Sequence, residues 1–79
     1  MRTRDGILLR NVRNAAEEYG ISVREGTRHP YVLNYGGLRP CPVGESTNVR
    51  TMLVPWFRLA TGLDNNTIYR SLRSGHCGG

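Results

Sequence analysis

Apolar residues recur at two different periods along the first half of the chain. Over residues 5–19, Ile7, Leu8, Val12, Ala15, Ala16 and Tyr19 fall near helical spacing, while Arg10, Arg13, Asn14, Glu17 and Glu18 take mostly the other side. The spacing predicts an amphipathic helix, with Thr3 or Asp5 as its cap and Gly20 as its end. From there the period drops to two. Residues 21–25 read as a short strand with Ile21 and Val23 inward. Residues 30–35 read as a second, with Tyr31, Leu33 and Tyr35 on one face and Val32 and Asn34 on the other. Gly36-Gly37 predicts a two-residue hairpin leading to a third strand over residues 38–43. Pro40 and Pro42 cannot donate ladder hydrogen bonds, so that strand belongs at a sheet edge.

After a polar loop over residues 44–48 the helical period returns. Leu53, Trp56, Phe57 and Ala60 share a face and provide the bulkiest core material. Pro55 interrupts this run: it either starts the helix or kinks it between 49–53 and 55–61. Gly62 closes the segment. Asp64 or Asn65 then caps a last short helix to about Leu72, with Ile68 and Leu72 inward and Arg70 and Arg73 outward. The pattern therefore predicts an α+β domain over residues 1–75: helix, three-stranded antiparallel sheet, helix and an extra short C-terminal helix. Residues 76–79 read as a flexible tail.

Size restricts what such a domain can do. A chain of 79 residues buries only about 60% of its unfolded surface, so a deep pocket beside the core is excluded and a shallow site suited to a polymer is favoured. The net charge is +5, and all 11 basic residues are arginine. Arginine holds phosphate through paired hydrogen bonds and stacks on bases, which points to nucleic acid rather than a membrane. No apolar run approaches the roughly 20 residues of a membrane span. Cys41 and Cys77 are expected as reduced thiols in a cytoplasmic protein. His76 and Cys77 are too few for a metal site, and neither a metal nor another cofactor is expected.

The chemistry concentrates in Gly26-Thr27-Arg28-His29-Pro30-Tyr31. An imidazole, with an ordinary pKa of about 6.5, exchanges protons near neutrality, and an adjacent guanidinium can hold a phosphate. The plainer reading of a histidine beside a turn is a half-exposed polar residue without a chemical role.

The order of elements, with this run at the first hairpin, resembles the HicA family of toxin–antitoxin ribonucleases, whose fold is like a double-stranded-RNA-binding domain. Gly26, Thr27 and His29 match the family's Gly-Ser/Thr-(x)-His run, with Arg28 in between. Cys41-Pro42-Val43-Gly44 is similar to its turn after the third strand, and Leu53-Val54-Pro55-Trp56-Phe57-Arg58 followed by Gly62-Leu63 is similar to its second helix. The similarity spans residues 5–63. The chain departs from the family in lacking lysine, in placing Gly44 and Glu45 where many members carry a second histidine, and in adding the last helix.

The resemblance implies metal-independent cleavage of mRNA, with His29 as the catalytic acid or base. Arg28 or Arg24 would hold phosphate, Tyr31 and Tyr35 would stack on bases, and Arg50 would help bind the strand; the plainer reading of the two tyrosines is core packing. With one imidazole in the domain, the second proton transfer would fall to water, a tyrosine or the substrate. The resemblance also implies a HicB-like antitoxin as protein partner.

A competing signal lies at residues 55–73. An apolar helix, a Thr-Gly-Leu turn and a capping Asp64 precede a helix that opens Asn-Asn-Thr, which resembles a helix-turn-helix unit. On that reading Asn65, Asn66, Thr67 and Arg70 would contact DNA bases. Against it, Arg58 stands where the motif wants a small residue and Pro55 interrupts the first helix. A third reading is an inactive module that binds nucleic acid or a protein partner.

Overall fold

The computed structural model describes residues 1–77. Its elements are α1 (Leu9–Glu18), β1 (Ser22–Arg24), β2 (Tyr31–Asn34), β3 (Cys41–Val43), a π-helical turn (Val49–Leu53), α2 (Val54–Thr61) and α3 (Asn65–Ser74). The strands form one antiparallel sheet in the order β1-β2-β3. This is the α+β arrangement that the periodicities predict, including the helix after the second helical segment.

The first helix starts four positions later than the apolar stripe suggests. Residues before it close on themselves instead: Thr3 N–H donates to the Ile7 carbonyl at 2.8 Å, and Gly6 N–H donates to the Thr3 carbonyl at 3.0 Å. The Thr3 hydroxyl accepts the Ile7 N–H at 3.1 Å. Gly6, at φ 84°, makes the bend that a side chain would oppose. Neither Thr3 nor Asp5 caps α1; the cap position is Leu8, which offers no side-chain bond. Its other end follows expectation, with Gly20 at φ 82° just past Tyr19.

Strand pairing sorts the sheet residues onto two faces. Val23 pairs with Leu33, and Leu33 with Cys41, so these three point the same way, toward the helices. Leu33 is fully buried there. Arg24, Val32 and Pro42 form the neighbouring row on the opposite face, where Arg24 and Pro42 are exposed. β3 is an edge strand, as its prolines require. The hairpin before it is longer than two residues. Leu38 N–H donates to the Tyr35 carbonyl at 3.0 Å across Gly36-Gly37, but pairing resumes only at Cys41 because Pro40 has no N–H to extend the ladder.

Pro55 neither begins the second helix alone nor breaks it. Asn48 caps the π turn by accepting the Thr51 N–H at 3.0 Å, and the Val54 N–H reaches back five residues to the Val49 carbonyl. That wider turn runs straight into α2 and accommodates a proline in the helix's first turn. Phe57 then reaches the centre of the core. Its ring meets Trp56 at 5.5 Å and Tyr19 at 6.3 Å, both edge to face. The Trp56 indole N–H is satisfied by the Arg39 carbonyl at 2.7 Å.

α3 is integral to this core rather than appended to it. Ile68, Ser71 and Leu72 are fully buried, and the Ser71 hydroxyl is hydrogen-bonded to the hydroxyl of Tyr19, just past the end of α1. Asp64 caps α3 by accepting the Thr67 N–H at 3.0 Å. Of the residues read as a tail, Cys77 donates its N–H to Glu18 at 2.6 Å and His76 Nδ1 lies 3.5 Å from the same carboxylate. Gly78 and Gly79 lie outside the described residues. Among the described residues no helix is long and apolar enough to cross a membrane, and no cluster of His, Cys, Asp and Glu is suited to a metal ion.

Candidate nucleic-acid interface

The loop between β1 and β2 is built around a missing side chain. Gly26 N–H donates to the His29 carbonyl at 3.1 Å, which folds residues 26–29 into a tight bend. A Cβ on Gly26 would stand 2.7 Å from that carbonyl oxygen and 3.1 Å from Val32 Cγ2. Only glycine fits. The loop after β3 comes up against this bend, and the position a Cβ would take on Gly44 is 3.7 Å from His29 Nδ1 and 3.3 Å from Pro30 Cδ. The His29 ring is thus half-buried against backbone. Thr47 holds the facing loop closed, its hydroxyl accepting the Gly44 N–H at 2.9 Å.

Between the two loops lies an open groove of about 560 Å³. Thr27, Arg28, His29, Glu45 and Ser46 contribute its polar lining, and Met1 and Pro30 border it. Met1 and Pro30 also border an adjoining hollow of about 350 Å³ that contains Arg10 and Tyr31. The Arg13 guanidinium sits 5.8 Å from the centre of the Tyr31 ring. A shallow trough therefore runs from a histidine, an arginine and a glutamate to an aromatic ring beside two further arginines. The expectation of a shallow site follows from the small core, and the groove has that form.

The residues singled out in the sequence do not all meet here. Arg28 and His29 share the groove. Tyr31 borders the neighbouring hollow, on the helix side of the sheet and packed partly against the core. Arg24 projects from the opposite sheet face. Arg50 does not line the groove; its guanidinium lies 4.2 Å from the centre of the Tyr69 ring on α3. Asn65, Asn66 and Arg70 are exposed on α3, and Thr67 is half-buried. Asn65 borders a separate hollow with Pro55, Arg58 and Leu59.

Glu45, which the sequence places only in a polar loop at the offset where the resembling family often has a second histidine, also lines the groove. The signal was its offset from the proline turn. Only the approach of the β3 loop to the His29 bend turns that offset into proximity.

Charge on this surface is largely unneutralised. Among the described residues the one close contact between an acidic and a basic side chain lies between Glu18 and the His76 ring, so no arginine is within 4.0 Å of a carboxylate. Asp5 is half-buried and has its oxygens occupied. Burial raises its pKa, but the N–H groups of Val49 and Arg50 and the Thr3 hydroxyl outweigh that and hold it below the usual carboxylate value. Comparison with protein-family models, with curated proteins and with solved structures finds no match.

Proposed function

We propose that this protein is a HicA-like ribonuclease that cleaves single-stranded RNA in the groove containing His29. The observation that carries the reading is the placement of His29, Arg28 and Glu45 around one open groove. Cleavage by the neighbouring 2′-hydroxyl needs two proton transfers and a counter-charge. A base removes the proton from the 2′-hydroxyl as it attacks phosphorus. An acid protonates the departing 5′-oxygen, leaving a 2′,3′-cyclic phosphate. At neutral pH a glutamate is ionised and can only accept a proton, whereas an imidazole can also donate one. Glu45 is therefore assigned as base and His29 as acid. Arg28 binds the non-bridging oxygens, where negative charge grows in the transition state. The adjoining Tyr31 hollow suits a base of the bound strand, since single-stranded RNA is commonly gripped by stacking.

On this reading the exposed arginines of the groove suit an acidic HicB-like antitoxin that would cover it between rounds of activity. The open form of the groove supports a polymeric substrate over a small molecule.

The experiment is incubation of purified protein with a labelled RNA oligonucleotide, with products resolved for a cyclic-phosphate end. His29→Ala and Glu45→Gln should each lower the cleavage rate about 10²-fold or more, the usual size of a lost acid or base. Cleavage unaffected by both changes, or no cleavage by the parent protein, rejects the reading. Expression of the parent in a bacterial host should arrest growth, and His29→Ala should relieve the arrest.

A further inference from the structure

We propose that Arg50, Tyr69 and Arg73 form a second phosphate-binding surface, outside the His29 groove, that anchors the same RNA strand. The inference rests on the RNA reading above and adds a site to it. Arg50 enters from the first turn after the Asn48 cap, while Tyr69 and Arg73 come from α3. The Arg50 guanidinium is 4.2 Å from the Tyr69 ring centre and the Arg73 guanidinium 5.9 Å from the same point. Two positive charges are thus gathered over one aromatic side chain that is itself half-buried.

Both guanidinium groups are exposed and neither has a carboxylate within 4.0 Å, so their charge is open to an anion. Asp5 is bonded to the Arg50 backbone, but its oxygens are taken by N–H groups and the Thr3 hydroxyl. Arg70, the other arginine of this helix, has Asp64 within electrostatic reach and is therefore left out of the site. Stacking on tyrosine holds the flat guanidinium while leaving its edge N–H groups free, and that edge is what fits a phosphate oxygen pair. The fixed fork loses less freedom on binding than a loose arginine would.

RNA is taken over duplex DNA because the inference rests on the RNA reading of the His29 groove, and Arg50 comes from the π turn, off the helix that would enter a DNA groove. Asn65, Asn66 and Arg70 remain exposed on α3, whereas Thr67 is half-buried beside the Asp64 cap. Guanidinium forks on phosphate make a backbone contact, which fixes a strand without reading its sequence. Arg50 lies two residues beyond Asn48, at the end of the loop that forms one wall of the groove, so a strand leaving the groove along that loop meets the anchor.

The test is anisotropy of a labelled single-stranded RNA titrated with the full chain carrying His29→Ala, which keeps the probe intact. Adding Arg50→Gln and Arg73→Gln should weaken binding about tenfold and reduce the slope of log affinity against log salt by roughly 1.4, the value for two lost contacts on a single strand. Tyr69→Leu, which leaves the charge unchanged, should weaken binding several-fold, and Tyr69→Phe should not. Arg24→Gln, on the far face of the sheet, controls for net charge and should cost less than twofold. If the glutamine pair does not fold, Arg50→Lys with Arg73→Lys keeps the charge, removes the stacked fork and should still weaken binding several-fold.

Unchanged binding in these variants overturns the proposal. So does an equal loss from Arg24→Gln, or a loss seen on duplex DNA and not on single-stranded RNA. Cleavage does not enter the readout. A parent chain that binds RNA without cutting it defeats the ribonuclease reading and leaves the anchor standing, whereas cutting with unchanged binding in the variants defeats the anchor alone. A parent that binds no RNA defeats both.

Discussion

The carboxylate of Asp5 accepts the backbone N–H of Val49 at 3.0 Å, across 44 positions of sequence. A second bond, from the Arg50 N–H at 3.3 Å, reaches its other oxygen. An acidic residue from the N-terminal loop thus caps the π turn that begins the second helical segment. Asn48 caps the same turn through Thr51, so the two side chains divide its free N–H groups. The bond ties the N-terminal loop to the base of the proposed Arg50 anchor.

Asp5→Ala should therefore lower stability by about 1 kcal/mol, the size of a lost helix cap. Because folding lowers the Asp5 pKa, its contribution is complete above the ordinary value of 3.8 and is lost as pH falls through the lowered one. Asp5→Asn keeps an acceptor but cannot titrate. Urea unfolding of Asp5→Asn and parent between neutral pH and pH about 2 should give curves that converge at the acid end. Curves separated by a constant amount would rule out this role for the carboxylate.

Phe57 and Leu59 sit two positions apart and should behave oppositely. Phe57 is fully buried between Trp56 and Tyr19, whereas Leu59 is 74% exposed. Phe57→Ala should cost about 3–5 kcal/mol, comparable with the lower end of the about 5–15 kcal/mol that holds a small domain together. Leu59→Ala should stay within about 0.5 kcal/mol. Thermal unfolding of the two variants decides the matter, and a similar drop in both would contradict the packing.

That face was legible in the sequence because Leu53, Trp56, Phe57 and Ala60 repeat at helical spacing around the glycine stop at Gly62. Ile68 and Leu72 were legible for the same reason. The start of α1 was not. Ile7 and Leu8 fit the apolar stripe, but local bonds from Thr3 and the bend at Gly6 outweigh the helical period there. In the site, Arg28 and His29 were legible as neighbours in sequence, and both line the groove. Glu45 depends on how two loops approach, and the Arg50–Tyr69 contact on how α3 packs across the π turn. Periodicity carries no information about either. The resemblance implies Arg24 beside Arg28 as a phosphate ligand, but strand alternation places Arg24 on the other face.

The two thiols should differ sharply in reactivity. Burial pushes the Cys41 pKa up to about 11, while Cys77 is exposed. At pH about 8, near the ordinary cysteine value, an alkylating reagent should modify Cys77 and spare Cys41 until denaturant is added. Mass spectrometry of the labelled peptides reads this directly. Since Cys41 stays protonated after an unfolded thiol would ionise, its contribution to stability is present below pH 9.0 and is lost as pH rises toward 11. Rapid labelling of Cys41 in the native protein would mean that β3 opens readily at the sheet edge.

Two glycines adjoin His29, Gly26 at its backbone and Gly44 at its ring, and substituting them should separate shape from chemistry. A Cβ at Gly26 would press to 2.7 Å on the His29 carbonyl, a backbone atom that cannot swing aside, so the bend itself must change. At Gly44 the nearest atom, Pro30 Cδ, would be 3.3 Å away, and His29 Nδ1 3.7 Å away, which calls for a shift of only tenths of an ångström. Neither glycine has the left-handed backbone that would strain any side chain, so space alone distinguishes them. On the ribonuclease reading, Gly26→Ala should reduce the cleavage rate about 10²-fold, as misplacing a reacting group by about 1 Å does. Gly44→Ala should cost a few-fold. Single-turnover cleavage with saturating enzyme measures the chemical step, and a melting curve of each variant reports any loss of fold. Equal rates for the two variants, with both still folded, would show that the Gly26 bend does not set the position of His29.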